Sequence, residues 1–329
     1  MTHHQAHGGT DSGPPVTHDF STNANPLGPP PALWLAVLAA DRQRYPDPSY
    51  TALRERLGAA HGVSPERILP TSGGAEAIRR LSLAALLQNG LREVWVPQPG
   101  FGDYAAAAVA LGMTVHGYAD EAGLKPIGPA LIWICEPCNP TGTGFGSAAL
   151  ARIAAATPGC LRVLDGAYEP LRLHGPASTA PTSFWQLHCP NKALGLTGVR
   201  AAYLIAPSAA PAQAVQALAA SWVLSAEGVA MLMHWHDEST QAWLASSREQ
   251  LKIWTTEQRA MLATLGWQQQ ASDTPFWLAQ PAQNLRTLRN LRAAGIKLRD
   301  AASFGLPGWV RIATLPPASQ AALKKAIQQ

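Results

Sequence analysis

Lys192 is the residue with the clearest chemical signal in this chain of 329 residues. It lies in HCPNKALGLTGVR, a small, apolar, glycine-punctuated segment directly before a predicted buried strand, whereas the other lysines lie in polar or chain-terminal settings. A lysine whose ammonium is poorly solvated has a lowered pKa, and its amine can form a Schiff base with a carbonyl. The alternative is an exposed loop lysine, so the interpretation depends on the surrounding motifs.

Further polar residues lie where predicted strands end. The segment TSGGAEAI, residues 71–78, follows the apolar RILP and opens a helix, an arrangement that presents backbone N–H groups to a phosphate. Asn139 in PCNPTG follows one strand, and Asp165 and Tyr168 in VLDGAY follow the next, at the sheet edge where α/β proteins bind ligands. Taken alone, Asp165 is equally consistent with a helix cap. Arg200 opens a later strand, and its planar guanidinium can clamp a phosphate.

Alternating apolar and Ala/Leu-rich segments are predicted to position these residues. The apolar segments typical of buried strands are 93–97, 130–137, 160–168 and 201–207. Helical stretches such as AEAIRRLSLAALLQNG and SAALARIAAAT precede two of them. This alternation predicts an α/β fold, with a mostly parallel central sheet and helices on both faces.

The pattern changes after residue 208. Long helices are predicted over Ala210–Leu224 and Gly228–Leu265, and a shorter helix over Asn284–Ala294. Weaker strand candidates are GWQQQ, PFWLAQP and WVRIAT. Together they predict a smaller α+β domain.

Composition excludes several classes of protein. The chain is 47% hydrophobic and only 14% charged, which indicates a folded protein. The net charge of +4 is dispersed, so neither nucleic-acid nor membrane-surface binding is predicted. No segment approaches the roughly 20 apolar residues of a bilayer span. The start, MTHHQAHGGT, has no signal-peptide pattern, so we expect a cytoplasmic protein.

Three other signals favour structural roles over binding. Cys135 and Cys138 form a C-x-x-C pair without the second pair of a zinc ribbon, so no metal site is predicted. Tryptophans such as Trp34, Trp133 and Trp222 lie in apolar segments and are expected in the core. His234 and His236 are expected on one helix, where side chains two positions apart point away from each other.

Together, the motifs resemble the fold-type I pyridoxal-phosphate enzymes, with an aspartate-aminotransferase-like fold. More narrowly, they resemble the branch that contains histidinol-phosphate aminotransferases and threonine-phosphate decarboxylases. The resemblance implies that Lys192 forms the Schiff base with pyridoxal 5'-phosphate and that Asp165 pairs with the pyridinium nitrogen. Such a carboxylate keeps the nitrogen protonated, so the ring remains an electron sink. Asn139 and Tyr168 are expected to hydrogen-bond the 3-hydroxyl, and Phe101 in PGFGDY to stack on the ring.

The same resemblance implies a phosphate site and a homodimer. The cofactor phosphate is expected on the amides of Gly74 and Ala75, against Arg200. Tyr45 in RYPDP matches a family tyrosine that reaches the phosphate in the neighbouring subunit's site. The family's hydroxyl residues before the lysine are replaced here by Cys189 and Asn191. A thiol is a poor donor, so phosphate binding is expected to rely more on backbone amides and the arginine.

The amino-terminal arm narrows the resemblance. HGGT at 7–10, followed by DFSTNANPLGPP at 19–30, resembles threonine-phosphate decarboxylases, whose HGG opening contributes to the substrate-phosphate site. His7 and Asn23 are therefore expected to bind substrate, with a disordered tail as the alternative for His7. Arg311 matches the arginine that binds the substrate carboxylate, and Arg299 is a candidate for the substrate phosphate or else a surface residue.

The resemblance implies three parts of the chain and three possible functions. Residues 1–44 form the arm and part of the small domain, 45–230 the large cofactor-binding domain and 231–329 the small domain. The favoured function is decarboxylation of L-threonine O-3-phosphate to (R)-1-amino-2-propanol O-2-phosphate in cobalamin biosynthesis. The alternative is a histidinol-phosphate-type aminotransferase that uses 2-oxoglutarate. A non-catalytic assembly partner is disfavoured, because such a protein has no need of a Schiff-base lysine.

Overall fold

The computed structural model of the chain describes residues 7–282 and 290–328. The strands in chain order are β1 His18–Asp19, β2 Ile68–Thr71, β3 Glu93–Pro97, β4 Thr114–Tyr118, β5 Leu131–Cys135, β6 Leu161–Asp165, β7 Trp185–His188, β8 Ala202–Ile205, β9 Gln268–Gln269, β10 Phe276–Gln280, β11 Ile296–Lys297, β12 Arg299–Asp300 and β13 Val310–Ala313. The helices are α1 Pro31–Leu38, α2 Thr51–His61, α3 Gly74–Asn89, α4 Asp103–Ala110, α5 Ser147–Ala156, α6 Ala209–Gln216, α7 Ala226–Met233, α8 Glu238–Thr264 and α9 Pro317–Gln328.

The larger sheet has seven strands in the order β2-β8-β7-β6-β5-β3-β4. Strand β8 is antiparallel to both neighbours, and the remaining pairs are parallel. Every residue of β5 is buried, as expected of a strand covered on both faces. Strands β5 and β6 end together, with Cys135 paired to Asp165, so the polar residues that follow them share one edge. The predicted mostly parallel sheet is confirmed.

A smaller unit contains the four-stranded antiparallel sheet β12-β13-β10-β9, and β1 pairs in parallel with β11. Its own apolar core includes Phe20 from the arm, Trp277 and Ile312 from the sheet and Leu323 from α9. The long helix α8 contributes Leu262 to this core and Leu251 to the core of the large sheet. The boundaries at residues 44 and 230 stay predictions.

Two of the predicted helices have different bounds in the structure. Helix α6 stops at Gln216 instead of reaching Leu224, and Trp222 beyond it has a left-handed backbone with φ of 50°. The predicted helix over Gly228–Leu265 is two helices, α7 and α8. Between them, the imidazole of His234 contacts Asp237 at 2.7 Å, and the extended backbone of Asp237 forms the start of α8. The predicted helix Asn284–Ala294 lies mostly outside the described residues.

The predictions for the two histidines and for two of the tryptophans also need correction. His234 and His236 follow α7 rather than sharing a helix, and the His236 ring contacts His61 edge-on at 5.0 Å. Trp133 is fully buried, but Trp34 and Trp222 are 38% and 43% exposed. Helix α1 is apolar around most of its circumference, so its sequence does not indicate which side is buried. Across the described ranges, no helix is long and apolar enough to span a bilayer.

Candidate active site

A cavity of about 680 Å³ opens at the carboxyl edge of the large sheet, between that sheet, the start of α3 and the amino-terminal arm. It brings together most of the residues that the sequence predicts for a site. The predicted residues that line it are His7, Asn23, Gly74, Ala75, Phe101, Asn139, Asp165, Tyr168, Lys192, Arg200 and Arg311. Arg299 lines a small adjoining cavity together with His7 and Phe101. The structure therefore brings these residues together, and their roles stay predictions.

Lys192 lies in the loop after β7, and the arm holds this loop in place. The backbone N–H of Asn25 donates to the Lys192 carbonyl at 2.9 Å, and the Asn25 amide donates to the Ala193 carbonyl at 3.1 Å. Gly195 allows the close approach, since a Cβ there would lie 2.9 Å from the Asn25 carbonyl oxygen. The Lys192 ammonium is 5.1 Å from the centre of the Tyr168 ring. The Asn-Pro portion of the arm thus positions the lysine.

The expected lowered pKa of Lys192 is not found. Burial by itself lowers the pKa, but the nearby Tyr168, Cys189 and Asp165 outweigh burial, so the net shift is upward. The prediction was wrong because it considered the apolar sequence around the lysine and not the acidic groups that the fold brings to it. At neutral pH, Lys192 is therefore protonated before any carbonyl compound binds.

Asp165 lies at the end of β6 and is buried. Its Oδ2 accepts a hydrogen bond of 2.6 Å from the Tyr104 hydroxyl, and its Oδ1 accepts one of 2.9 Å from the Ala167 N–H. Burial raises the pKa of Asp165, and Tyr104 and Lys192 oppose that shift. The carboxylate is thus held by two donors at the floor of the cavity.

Asn139 and Arg311 form a second buried pair. Arg311 Nη1 donates to Asn139 Oδ1 at 2.6 Å, and Nη2 donates to the Ser21 carbonyl at 2.5 Å. Burial lowers the pKa of Arg311 to about 10, so its guanidinium is still charged at neutral pH. Its Nε lacks a hydrogen-bond partner within the protein. A buried cation with a free donor is a binding group for an anion.

Arg299 is the cross-strand neighbour of Arg311 in the β12–β13 pair. Its guanidinium donates to Ser303 Oγ at 2.6 Å and lies 4.9 Å from the centre of the Phe304 ring. The Arg311 guanidinium lies 5.9 Å from the same ring. The alternative of a surface residue is excluded, because Arg299 is buried. Two cations therefore flank one end of the site.

The start of α3 forms the opposite end. Helix α3 begins at Gly74 directly after Gly73, and the backbone N–H groups at a helix start attract anions. A Cβ at Gly73 would lie 2.5 Å from Arg200 Nη2, so the glycine allows the guanidinium to approach the helix start. Cys189 lies under Gly74, and burial raises the pKa of its thiol to about 12. The replacement of the usual hydroxyl therefore leaves a neutral thiol at this end.

Two buried asparagines have polar atoms without partners in the protein. Neither the nitrogen nor the oxygen of the Asn23 side chain is hydrogen-bonded, and both are buried. Asn191 Oδ1 is likewise buried and unpaired. Both residues line the cavity. Buried polar atoms of this kind indicate a bound molecule that completes them.

The first described residues of the arm, His7 and Gly8, line the small cavity together with Arg299 and Arg311. His7 Nε2 lies 3.7 Å from Asp103 Oδ1, and its ring centre is 6.2 Å from that of Phe101. Asp11 ties the arm to the smaller unit through ion pairs with Arg292 and with Lys297 of β11. The arm is thus part of the site.

Of the predicted site residues, Tyr45 lines neither of the two cavities. It is 78% exposed and stacks on Trp222, with ring centres 4.4 Å apart. Sequence reasoning missed Tyr104 and Asp103, which follow Phe101 in the same motif. Tyr104 is one helical turn beyond Phe101, so the motif contained the signal that both face the cavity.

The residues of the cavity fit pyridoxal phosphate. Lys192 supplies an amine for the aldehyde, Asp165 a carboxylate for the ring nitrogen, and Arg200 with the start of α3 a phosphate site. The cradle at Gly73, where a Cβ would collide with Arg200, is the observation that most restricts the ligand, because it brings the guanidinium to the start of α3 and so favours an anion there.

Comparisons with known proteins agree with this geometry. The model of the aminotransferase class I and II family matches residues 17–329. A histidinol-phosphate aminotransferase of Ruegeria pomeroyi is 29% identical over 320 residues, which cover 89% of this chain and 85% of that protein.

Two solved structures share the fold. L-threonine-O-3-phosphate decarboxylase from Porphyromonas gingivalis superposes with a TM-score of 0.81 at 21% identity, covering 94% of this chain and 98% of that one. Histidinol-phosphate aminotransferase from Sinorhizobium meliloti, in complex with pyridoxal-5'-phosphate, superposes with a TM-score of 0.81 at 22% identity, covering 95% of this chain and 92% of that one. The predicted aspartate-aminotransferase-like fold and the predicted cofactor are confirmed.

Proposed function

The chain belongs to the aminotransferase class I and II family, and within that family we propose that it decarboxylates L-threonine O-3-phosphate. The product is (R)-1-amino-2-propanol O-2-phosphate, which serves cobalamin biosynthesis. The single observation that carries the proposal is the position of the arm. His7 and Gly8 line the same small cavity as Arg299 and Arg311. Threonine phosphate has two anionic groups, and this end of the site offers two buried guanidinium groups for them.

The proposed roles follow from the contacts. Arg311 binds the substrate carboxylate through its free donor, and Arg299 and His7 bind the phosphate. The unpaired side-chain amide of Asn23 forms hydrogen bonds with the substrate. Holding both anions fixes the rotation about the bond to the amino group, and that rotation determines which bond at Cα is aligned for cleavage.

At the other end, Asp165, Asn139 and Tyr168 hold the cofactor ring, Phe101 covers it, and Gly74, Ala75 and Arg200 hold its phosphate. Pyridoxal phosphate, when bound, supplies an electron sink for the electron pair of the bond that breaks at Cα. Loss of carbon dioxide leaves Cα in need of a proton. Lys192 is the proposed donor, since its side-chain nitrogen lies in the cavity beside the Tyr168 ring.

A second candidate is transamination of histidinol phosphate with 2-oxoglutarate. The observation that favours it is the sequence similarity to a histidinol-phosphate aminotransferase over most of the chain. That reaction uses the same lysine but a phosphorylated amino alcohol that has no carboxylate. The two candidates therefore differ in what Arg311 binds in the amino donor.

We also propose that the enzyme is a cytoplasmic homodimer. Helix α1 exposes apolar side chains, with Leu35 66% and Leu38 48% exposed, and Trp34 beside them. The stacked pair of Tyr45 and Trp222 adds further exposed aromatic surface. Apolar surface of this kind is typical of an interface, and a second copy would bring Tyr45 to the phosphate end of the neighbouring site.

The function is tested with the purified holoenzyme and L-threonine O-phosphate, without any keto acid, by measuring released carbon dioxide. Lys192→Ala should abolish release and keep the fold. Lys252→Ala is the matched control, because that lysine is paired with Glu249 on the surface of α8. Failure to release carbon dioxide, together with 2-oxoglutarate-dependent consumption of histidinol phosphate, would establish the second candidate. Inactivity with both substrates would favour a non-catalytic partner.

A further inference from the structure

We propose that Tyr104 is a positioning residue that keeps Asp165 ionised and aimed at the ring nitrogen of the cofactor. The inference rests on the proposed role of Asp165 in cofactor binding. The motifs of the sequence do not identify Tyr104 as a site residue, whereas its contact with Asp165 in the structure does.

Packing leaves the Tyr104 ring little freedom. The ring is fully buried and stacks on Trp133, with ring centres 4.9 Å apart and planes 13° from parallel. Phe101 meets it edge-on, with 5.6 Å between ring centres. Rings held on two sides fix the direction of the hydroxyl, which points to Asp165 Oδ2 at 2.6 Å.

The remaining contacts leave Asp165 able to bind one more donor. Each carboxylate oxygen accepts one hydrogen bond, Oδ2 from Tyr104 and Oδ1 from the Ala167 N–H. An ionised carboxylate has about four acceptor positions, so positions remain for the N–H of a pyridinium ring. The carboxylate lines the cavity, where such a ring would lie.

The charges explain why a donor is needed. Burial raises the pKa of Asp165, and the hydrogen bond from Tyr104 is the largest of the effects that oppose burial. Burial also raises the pKa of Tyr104 well above its usual value, so the hydroxyl keeps its proton and donates at every working pH. Without this hydroxyl, Asp165 takes up a proton at a higher pH and loses the charge that pairs with the pyridinium.

The test is the dissociation constant of pyridoxal phosphate from apoenzyme, measured by the absorbance of the bound cofactor over a range of pH. Tyr104→Phe keeps the stacked ring and removes the hydroxyl. Loss of one hydrogen bond to a charged group predicts roughly tenfold weaker binding at neutral pH. The difference from wild type should widen as pH falls, because Asp165 then protonates first in the variant.

Tyr118→Phe is the matched control. Tyr118 is also buried, and its hydroxyl donates to the Trp133 carbonyl at 2.6 Å, so this variant loses a buried phenol hydrogen bond beside the same tryptophan. Its cofactor affinity should equal that of wild type at every pH. Equal weakening in both variants would overturn the inference, since it would reflect the loss of any buried hydroxyl.

Asp165→Asn separates failure of this inference from failure of the proposed site. If Asp165→Asn binds cofactor as wild type does, the proposed role of Asp165 is wrong. If it binds weakly and Tyr104→Phe binds normally at every pH, only the inference about Tyr104 is wrong. In the double variant, the Tyr104 substitution should add nothing to the loss caused by Asp165→Asn, and full additivity would contradict the coupling.

Discussion

The cradle between Gly73 and Arg200 offers a sharp test of the phosphate site. Gly73 has φ of 91° and ψ of 168°, a backbone region that is nearly restricted to glycine. In Gly73→Ala, the methyl group would lie 2.5 Å from Arg200 Nη2 and 2.9 Å from Cζ. The arginine must therefore move away from the start of α3, and the backbone strain costs about 1–3 kcal/mol of stability.

The cost to cofactor binding follows from the contact that is lost. A hydrogen bond between charged groups contributes about 1.5–3 kcal/mol, so displacing the guanidinium should weaken cofactor binding by roughly 10- to 150-fold. Gly90→Ala is the matched control at the other end of α3. Gly90 also has positive φ, 66°, but a methyl group there meets nothing within 4 Å.

The assay combines cofactor titration of the apoenzyme with thermal unfolding. Both variants should melt below wild type, because both place alanine in a left-handed conformation. Only Gly73→Ala should lose cofactor affinity. If both variants bind the cofactor equally well, Arg200 and the start of α3 do not hold its phosphate.

Three further predictions concern the substrate end, the acid stability and the assembly. Arg311→Lys removes the unpaired Nε donor and the planar guanidinium, so kcat/KM should fall by about tenfold or more, and steady-state kinetics with an unchanged kcat/KM would refute carboxylate binding by Arg311. Burial lowers the pKa of His188 to about 3 from its usual 6.5. As the pH decreases below 6.5, the unfolded chain therefore takes up a proton before the folded chain does, and the free energy of unfolding decreases. That loss reaches about 2 kcal/mol by pH 5, and urea titrations of His188→Phe should show a flatter dependence on pH than wild type. Trp34→Asp should dissociate the proposed dimer in sedimentation equilibrium, whereas an unchanged mass would move the interface away from α1.

Much of the site was predictable because of where parallel strands end. Asn139 and Asp165 follow neighbouring strands in the chain and in the sheet, so consecutive motifs converge on one edge. Arg299 and Arg311 were also predictable, because a tight turn separates them and pairs their strands. In each case, local sequence spacing determines the spatial relation.

Other features depend on contacts that spacing does not encode. Tyr104 meets Asp165 across 61 residues of chain, and the upward pKa shift of Lys192 arises from side chains of other segments. The end of α6 lies before the left-handed Trp222, in a segment whose apolar sequence would suit a longer helix. A second copy of the chain would be required to place Tyr45 at a site, and the spacing of residues in one sequence does not describe such a copy.

In the proposed reaction, the enzyme breaks the bond from Cα to the carboxylate of threonine phosphate. The most direct measurement is the yield of carbon dioxide and of 1-amino-2-propanol O-2-phosphate from L-threonine O-phosphate, with wild-type holoenzyme and no keto acid. We expect equal amounts of both products over repeated turnovers and none with Lys192→Ala. Consumption of the substrate only when 2-oxoglutarate is present, with no carbon dioxide, would contradict it.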